Sequence, residues 1–199
     1  MHRSRRDLLI RKGLQVARTA LVNERTRLCN RSQVQVHPVL TRQIKARLTL
    51  VKRQIAELDA EIESHIAKDE ALERKREILC SIPVIGTIAA SLILTFLPEI
   101  GTPGRKQAGS LAGLAPHNRD SCQWKEKSFI NSGRKPLRDA LYMPALVAIR
   151  FNPDLKAQYS ALREAGKPAK VAIVALIRKL IETGNAPIKD DRCWSPKSA

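Results

Sequence analysis

The chain has 199 residues, of which 36 are Lys or Arg and 19 are Asp or Glu, so its formal net charge is +17. Apolar residues make up 43% of the sequence, enough for a hydrophobic core, which excludes a wholly disordered basic tail. Aromatic residues make up only 4%, too few for the stacking surface of a typical single-strand binder. So large a positive excess indicates a polyanionic partner, and nucleic acid is the first candidate.

The cysteines and histidines show no spacing typical of a metal site. There is no CxxC pair, and the four histidines are scattered along the chain. The basic start is interrupted by charges before any apolar segment forms, so we expect no signal peptide. The longest apolar stretch, residues 88–97, is too short to span a bilayer. We therefore expect free thiols, a cytoplasmic location, no membrane contact and no metal or cofactor held by this chain.

Residues 5–31 predict a basic helix, whose cations face either solvent or phosphates. Its apolar residues recur at helical intervals: Ile10, Leu14, Ala17, Leu21 and Leu28.

Residues 40–79 predict one long helix, because no Gly or Pro interrupts them. Their apolar seam alternates steps of three and four: Leu48, Val51, Ile55, Leu58 and Ile62. The seam predicts either a short coiled coil, and hence a homo-oligomer, or a hairpin with the first helix.

The remaining residues predict short helices separated by Pro and Gly. The helices are expected at residues 88–97, 106–114, 137–150, 154–164 and 167–183. Gly184 and Asn185 are expected to cap the last of them. The predicted fold is all-α: a long helical or coiled-coil hairpin in residues 1–77, followed by a compact multi-helix domain in residues 78–199.

The segment LCSIPVIGTIAA at 79–90 is typical of a helix-hairpin-helix, in which a tight turn joins two helices. Amides at the start of the second helix, here Gly86 and Thr87, can then bind a phosphate. Val84 occupies the position of the usual first glycine, and a β-branched residue resists a positive φ. A tight turn between two core helices is an equally good interpretation.

Several different short motifs follow one another over roughly 100 residues, and their order and spacing are more specific than any one motif alone. They are IPVIG at 82–86, LAGLAP at 111–116, GR at 133–134 with Arg138, ALYM at 140–143, NP at 152–153, GKP at 166–168 with Lys170, and RKL at 178–180. In these motifs the chain resembles the C-terminal half of the DEDD-type insertion-sequence transposases, the group that contains the pilin-gene invertases. The helical region before them resembles the coiled-coil connector of that family.

The resemblance implies DNA recombination through a composite active site. The C-terminal domain contributes a serine after the Gly-Leu-x-Pro motif, which is Ser121 here, although Cys122 replaces the glycine that usually follows. Ser128 and Ser132 are lesser candidates for the same role. An N-terminal ribonuclease-H-like domain contributes four acids that bind divalent metal, expected to be magnesium. We expect this chain to begin at the connector, to lack that domain and therefore to be unable to cleave DNA alone.

The resemblance also implies partners and a phosphate-binding surface. DNA is the expected partner, and the structured guide RNA used by family relatives is a further candidate. The cations expected to contact phosphates are Lys125, Lys127, Arg134, Lys135 and Arg138, with Lys167 and Lys170 extending the surface. Two alternatives stay open: a non-enzymatic basic module that binds nucleic acid through phosphates alone, and a decayed transposase remnant.

Overall fold

The computed structural model describes residues 2–114 and 134–195, and in these ranges the chain forms eight helices and no strand, as the sequence predicts. The helices are α1 His2–Val34, α2 Pro38–Ala67, α3 Glu70–Cys80, α4 Thr87–Phe96, α5 Arg105–Leu111, α6 Lys135–Phe151, α7 Pro153–Glu164 and α8 Ala169–Lys189. None of the helices described is long and apolar enough to cross a membrane. The chain divides into two compact units, Met1–Glu70 and Ala71–Ala199, whereas the sequence placed a domain boundary after residue 77.

The first unit is a helical hairpin. Only residues 35–37 separate α1 from α2, and so short a connection makes consecutive helices antiparallel neighbours. Leu28 of α1 packs with Ile44, Val51 and Ile55 of α2 in one buried cluster. The predicted seam of α2 is therefore covered within one chain. Of the two alternatives that the sequence left open, the hairpin with the first helix is the one that this structure shows.

The inward face of α1 is more polar than its sequence pattern predicted. Ile10 and Ala17 are exposed, whereas Arg11 and Gln15 are buried with relative exposures of 7% and 2%. Arg18 forms an ion pair with Asp59 of α2, which holds the helices in register. Burial lowers the pKa of Arg11, because desolvation disfavours its charged form.

The predicted single helix over residues 40–79 is interrupted. It ends at Ala67, and α3 begins at Glu70 after a tight turn in which the amide of Asp69 donates to the carbonyl of Ile66 at 3.1 Å. Aspartate is favoured immediately before the first residue of a helix, because its carboxylate can accept hydrogen bonds from the free amides of the first turn. The apolar seam weakens at His65 and Asp69, but the lack of Gly and Pro in residues 40–79 favoured one continuous helix.

The second unit is built around α8, against which α5, α6 and α7 pack. Helix α4 packs on α6, and all seven residues from Ala89 to Thr95 are buried. Such a helix, apolar on every side, is typical of a core position rather than of an amphipathic surface helix. The short helices predicted for this region are confirmed.

The predicted end of α8 at Gly184 and Asn185 is wrong, since the helix continues to Lys189. Gly184 is buried, and a Cβ there would lie 3.0 Å from Cδ2 of Leu79, so close packing explains the glycine. The Asn185 side chain accepts a hydrogen bond from the Gly101 amide at 2.8 Å and donates one to the Pro103 carbonyl at 2.9 Å. Both residues serve tertiary contacts rather than a helix cap.

Candidate nucleic-acid interface

The turn between α3 and α4 is tight and is anchored by two isoleucines. Ile82 and Ile85 are both 3% exposed, and the amide of Ile85 donates to the carbonyl of Ile82 at 3.1 Å. Between them, Val84 adopts a φ of +77°. The turn thus keeps the left-handed geometry that glycine favours although a β-branched residue occupies the position.

Helix α4 begins at the surface immediately after this turn. Gly86 lies just before the helix in an extended conformation, and its carbonyl accepts from the Ala90 amide at 3.0 Å. Gly86 and Thr87 are both exposed, and a Cβ at Gly86 would meet nothing within 4 Å. The residues at the start of α4 are therefore exposed, and no protein atom crowds the side of Gly86 on which a Cβ would lie.

Arg134 immediately precedes α6 and is bound to an acidic partner. Its guanidinium donates two parallel hydrogen bonds to the Glu99 carboxylate, 2.8 Å from Nη1 to Oε2 and 2.6 Å from Nη2 to Oε1. Paired hydrogen bonds of this kind fix orientation as well as charge. The pair joins the start of α6 to the turn that follows α4.

Two further predicted cations lie in the first turn of α6. Lys135 pairs with Asp139 at 2.6 Å, four residues later on the exposed face. Arg138 is partly buried, and its Nη1 donates to the backbone carbonyl of Gly113 at 3.2 Å. All three cations of this cluster thus have partners within the protein, which the sequence did not anticipate.

A surface cavity of about 480 Å³ lies between α6 and α8. Its lining combines charged, aromatic and apolar groups: Arg138, Asp139, Tyr142, Val174 and Ile177. Tyr142 is 40% exposed, so its ring is available to a ligand in the cavity rather than enclosed in the core.

Lys167 lies between α7 and α8, Lys170 lies in the first turn of α8, and both are exposed. Lys170 precedes Val174 by four residues, which places both on the same face of α8. Lys170 is therefore about one helical turn, ~6 Å along the axis, from the cavity that Arg138 also lines.

Three predicted site residues lie outside the described residues: the candidate nucleophile Ser121 and the cations Lys125 and Lys127. Cys122, the departure from the family motif, lies outside them too. Leu114 and Arg134 border this segment and are both described.

The structure also reveals participants that the sequence did not single out. Glu99 and the Gly113 carbonyl bind the predicted arginines, and both lie more than twenty residues earlier in the chain. No local pattern marks such pairs, because only the tertiary packing of the second unit brings them together.

None of the described cysteines lines the cavity between α6 and α8. Among the described cysteines, Cys29, Cys80 and Cys193 are free thiols, as expected. Burial raises the pKa of Cys80, which keeps its thiol neutral and weakly nucleophilic.

The part of the chain that contains this site also matches known proteins. Residues 76–160, from α3 into α7, match the family described as "Transposase IS116/IS110/IS902 family". The chain is 32% identical over 142 residues to the pilin gene-inverting protein of Moraxella bovis, covering 69% of this chain and 44% of that protein. The chain belongs to the insertion-sequence transposase family. The resemblance drawn from the sequence motifs is confirmed.

A second relative of this transposase family is an insertion element protein. The chain is 31% identical over 147 residues to the insertion element IS900 uncharacterized 42 kDa protein of Mycobacterium paratuberculosis, covering 72% of this chain and 36% of that protein. The chain thus spans less than half the length of these curated relatives. The family match includes the α3–α4 turn and Arg134 to Arg138, whereas Lys167 and Lys170 lie beyond it.

Proposed function

We propose that this chain is the DNA-binding C-terminal portion of an insertion-sequence transposase. It contributes Ser121 to a composite active site whose acidic residues come from another domain, and it does not cleave DNA on its own. The family match supports the class of reaction, and the name of the Moraxella relatives, pilin gene-inverting protein, supports DNA rearrangement.

The observation that most directly supports this proposal is the anchoring of Leu114 and Arg134, the two borders of the serine-bearing segment. Arg138 holds the carbonyl of Gly113, next to Leu114, while Arg134 binds Glu99. Both borders are therefore attached to the same compact unit. Fixed borders suit a segment that carries a nucleophile, because a reacting oxygen held near its target gains several orders of magnitude in rate.

The proposed chemistry is attack of the serine hydroxyl on a phosphodiester. A phosphorus–oxygen bond to the serine forms and the phosphorus–oxygen bond to one bridging DNA oxygen breaks. The serine proton passes to a base, and the released DNA oxygen takes up a proton to become a hydroxyl. The first amides of α4 and the cations Lys167 and Lys170 would bind the flanking phosphates.

The residues described do not fit a divalent metal site. Across residues 5–104, 107–114 and 134–195, no group of three or more acidic, histidine or cysteine side chains converges. Asp139, the acid nearest the arginine cluster in sequence, is bound to Lys135. We therefore assign no step of the reaction to a metal held by this chain, and the magnesium expected from the family belongs with the acidic domain.

DNA is the proposed partner, and a structured guide RNA is a second candidate that the same phosphate-binding groups would accommodate. Assembly into a homo-oligomer would need a surface other than the α2 seam, because that seam is buried within one chain.

DNA binding can be tested with a fluorescent duplex of about 30 base pairs titrated at several salt concentrations. The purified chain should bind with an affinity that falls steeply with salt. Replacing Lys167 and Lys170 by Gln should reduce the slope of log Kd against log salt by about 1.8, since each phosphate contact contributes about 0.9. Lys156→Gln with Lys189→Gln is the matched control, because it removes two exposed cations from the same unit.

Cleavage can be tested on supercoiled plasmid with magnesium. The chain alone should leave the plasmid intact, and nicking that Ser121→Ala abolishes would contradict the proposed inactivity. A chimera that carries this chain behind the N-terminal part of the Moraxella bovis protein should form a covalent protein–DNA adduct. Ser121→Ala should abolish the adduct and the control Ser128→Ala should not. Binding without any adduct from the chimera would favour the non-enzymatic module.

A further inference from the structure

The charges of the α1–α2 hairpin are separated along its length. Residues 25–56, which include the turn between the helices, contain eight Lys or Arg and no Asp or Glu. These cations are Arg25, Arg27, Arg31, Arg42, Lys45, Arg47, Lys52 and Arg53. Residues 57–70 contain six acids and one Lys. We call residues 25–56 the basic tip.

Three cations of the basic tip form a row on the outer face of α2. Arg42, Lys45 and Lys52 follow the helical spacing of i, i+3 and i+10, so they lie on one side, and all three are exposed. The buried Ile44 and Val51 lie on the other side, against α1. The row therefore points away from the hairpin interior.

The row is not an ordinary salt-bridged surface. Within the part of the chain that the structure describes, Arg42, Lys45 and Lys52 form no ion pair. The second half of the same helix does show the mixed pattern of a solvated face, with Arg53 bound to Glu57 at 3.5 Å and Glu61 to His65 at 3.3 Å. Uncompensated positive charge on one half of a helix indicates an anionic partner there.

The dimensions and composition of the tip favour a duplex over a single strand. Ten residues of helix rise about 15 Å, comparable with the ~12 Å width of a major groove, so the row can reach the backbones on both sides of it. Residues 1–70 contain no Phe, Tyr or Trp, so the hairpin has no ring on which unpaired bases could stack.

We propose that the row Arg42, Lys45 and Lys52 binds the sugar-phosphate backbone of duplex DNA, independently of base sequence. The row belongs to the first unit and the candidate interface to the second, and the choice of DNA as the polyanion rests on the proposed function. Since the row lies on a helix packed by its opposite face, binding requires no rearrangement of the hairpin core.

The test compares two triple variants of the full chain that lose the same charge. One replaces Arg42, Lys45 and Lys52 by Gln. The control replaces three other exposed cations of the same unit, Arg5, Arg6 and Lys68, by Gln. Glutamine keeps helix propensity close to that of Arg and Lys, and circular dichroism checks that both variants remain folded. Kd is measured by fluorescence anisotropy for a DNA duplex, an RNA duplex and a single DNA strand of about 30 nucleotides each.

The tip variant should lose about 2.7 from the slope of log Kd against log salt on duplex DNA, and the control much less. A fourfold rise in salt would then weaken the tip variant roughly 40-fold less than the parent chain. Equal losses in the two variants would overturn the proposal, since only net charge would matter. A loss confined to the RNA duplex or to the single strand would overturn it as well. If the parent chain binds no DNA, the proposed function itself fails. If the parent chain binds DNA and the tip variant binds it with the same affinity and salt dependence, this inference alone fails.

Discussion

Val84 offers the sharpest test of the turn that precedes α4. Its φ of +77° lies in the left-handed region, which costs an L-residue about 1–2 kcal/mol because Cβ approaches the following carbonyl. The neighbouring Ile82 and Ile85 are buried and hold the turn in place, so the fold imposes this conformation on a residue that resists it.

The informative comparison is between Val84→Gly and Val84→Ala. Both variants lose the same half-buried methyl groups, so the difference between them isolates the backbone. Glycine relieves the ~1–2 kcal/mol of the left-handed conformation but loses about 0.4–1 kcal/mol more chain entropy on folding. The glycine variant should therefore be more stable than the alanine variant by about 0.5–1 kcal/mol.

Urea unfolding followed by circular dichroism measures both free energies, with the m-value checked for constancy. Gly13 is the control, because it lies inside α1 where an added Cβ meets nothing within 4 Å. There the usual order should hold, and Gly13→Ala should stabilise the hairpin by about 1 kcal/mol. If alanine is also the more stable residue at position 84, the turn does not have the left-handed geometry and the argument fails.

Three further predictions concern the second unit. Asn185→Ala should lower the free energy of unfolding by about 2–4 kcal/mol in urea titrations, because it leaves the Gly101 amide and the Pro103 carbonyl without their partner; a loss below ~1 kcal/mol would contradict this. Thr95→Val should raise the unfolding free energy by about 1 kcal/mol, since the buried Thr95 hydroxyl has no hydrogen-bond partner in the described structure; destabilisation would mean that a partner exists. The raised pKa of Cys80 means that folding favours the neutral thiol. Its contribution to the free energy of unfolding is therefore complete below the ordinary pKa of 9.0 and is lost as the pH rises further. Between about pH 8 and pH 10 the free energy of unfolding of Cys80→Ala should fall less than that of the parent chain, and parallel losses would refute the assignment.

The short helices of the second unit could be predicted because Pro and Gly mark their ends. The break at Asp69 and the continuation of α8 past Gly184 could not. In α8 the interactions are tertiary: Gly184 packs closely against Leu79, and Asn185 bonds to the Gly101 amide and the Pro103 carbonyl. The break before α3 is instead a local turn, closed by the hydrogen bond from the Asp69 amide to the Ile66 carbonyl.

In the candidate site, too, the sequence predicted some features and missed others. Arg134, Lys135 and Arg138 could be selected from the sequence as a basic cluster, and the family could be named from the order of the motifs. Their partners could not be found in this way, because Glu99 and Gly113 lie far from them in the chain. A charge count therefore overstates the positive field near α6.

The amino-acid sequence by itself determined the all-α class, the family and the excess of positive charge, because these follow from periodicity, motif order and composition, which are local or additive. Among the described residues, tertiary structure alone decided which cations form ion pairs, and that the α2 seam packs against α1. These outcomes depend on distances between residues remote in sequence, and electrostatic and packing energies follow those distances rather than the order of the chain.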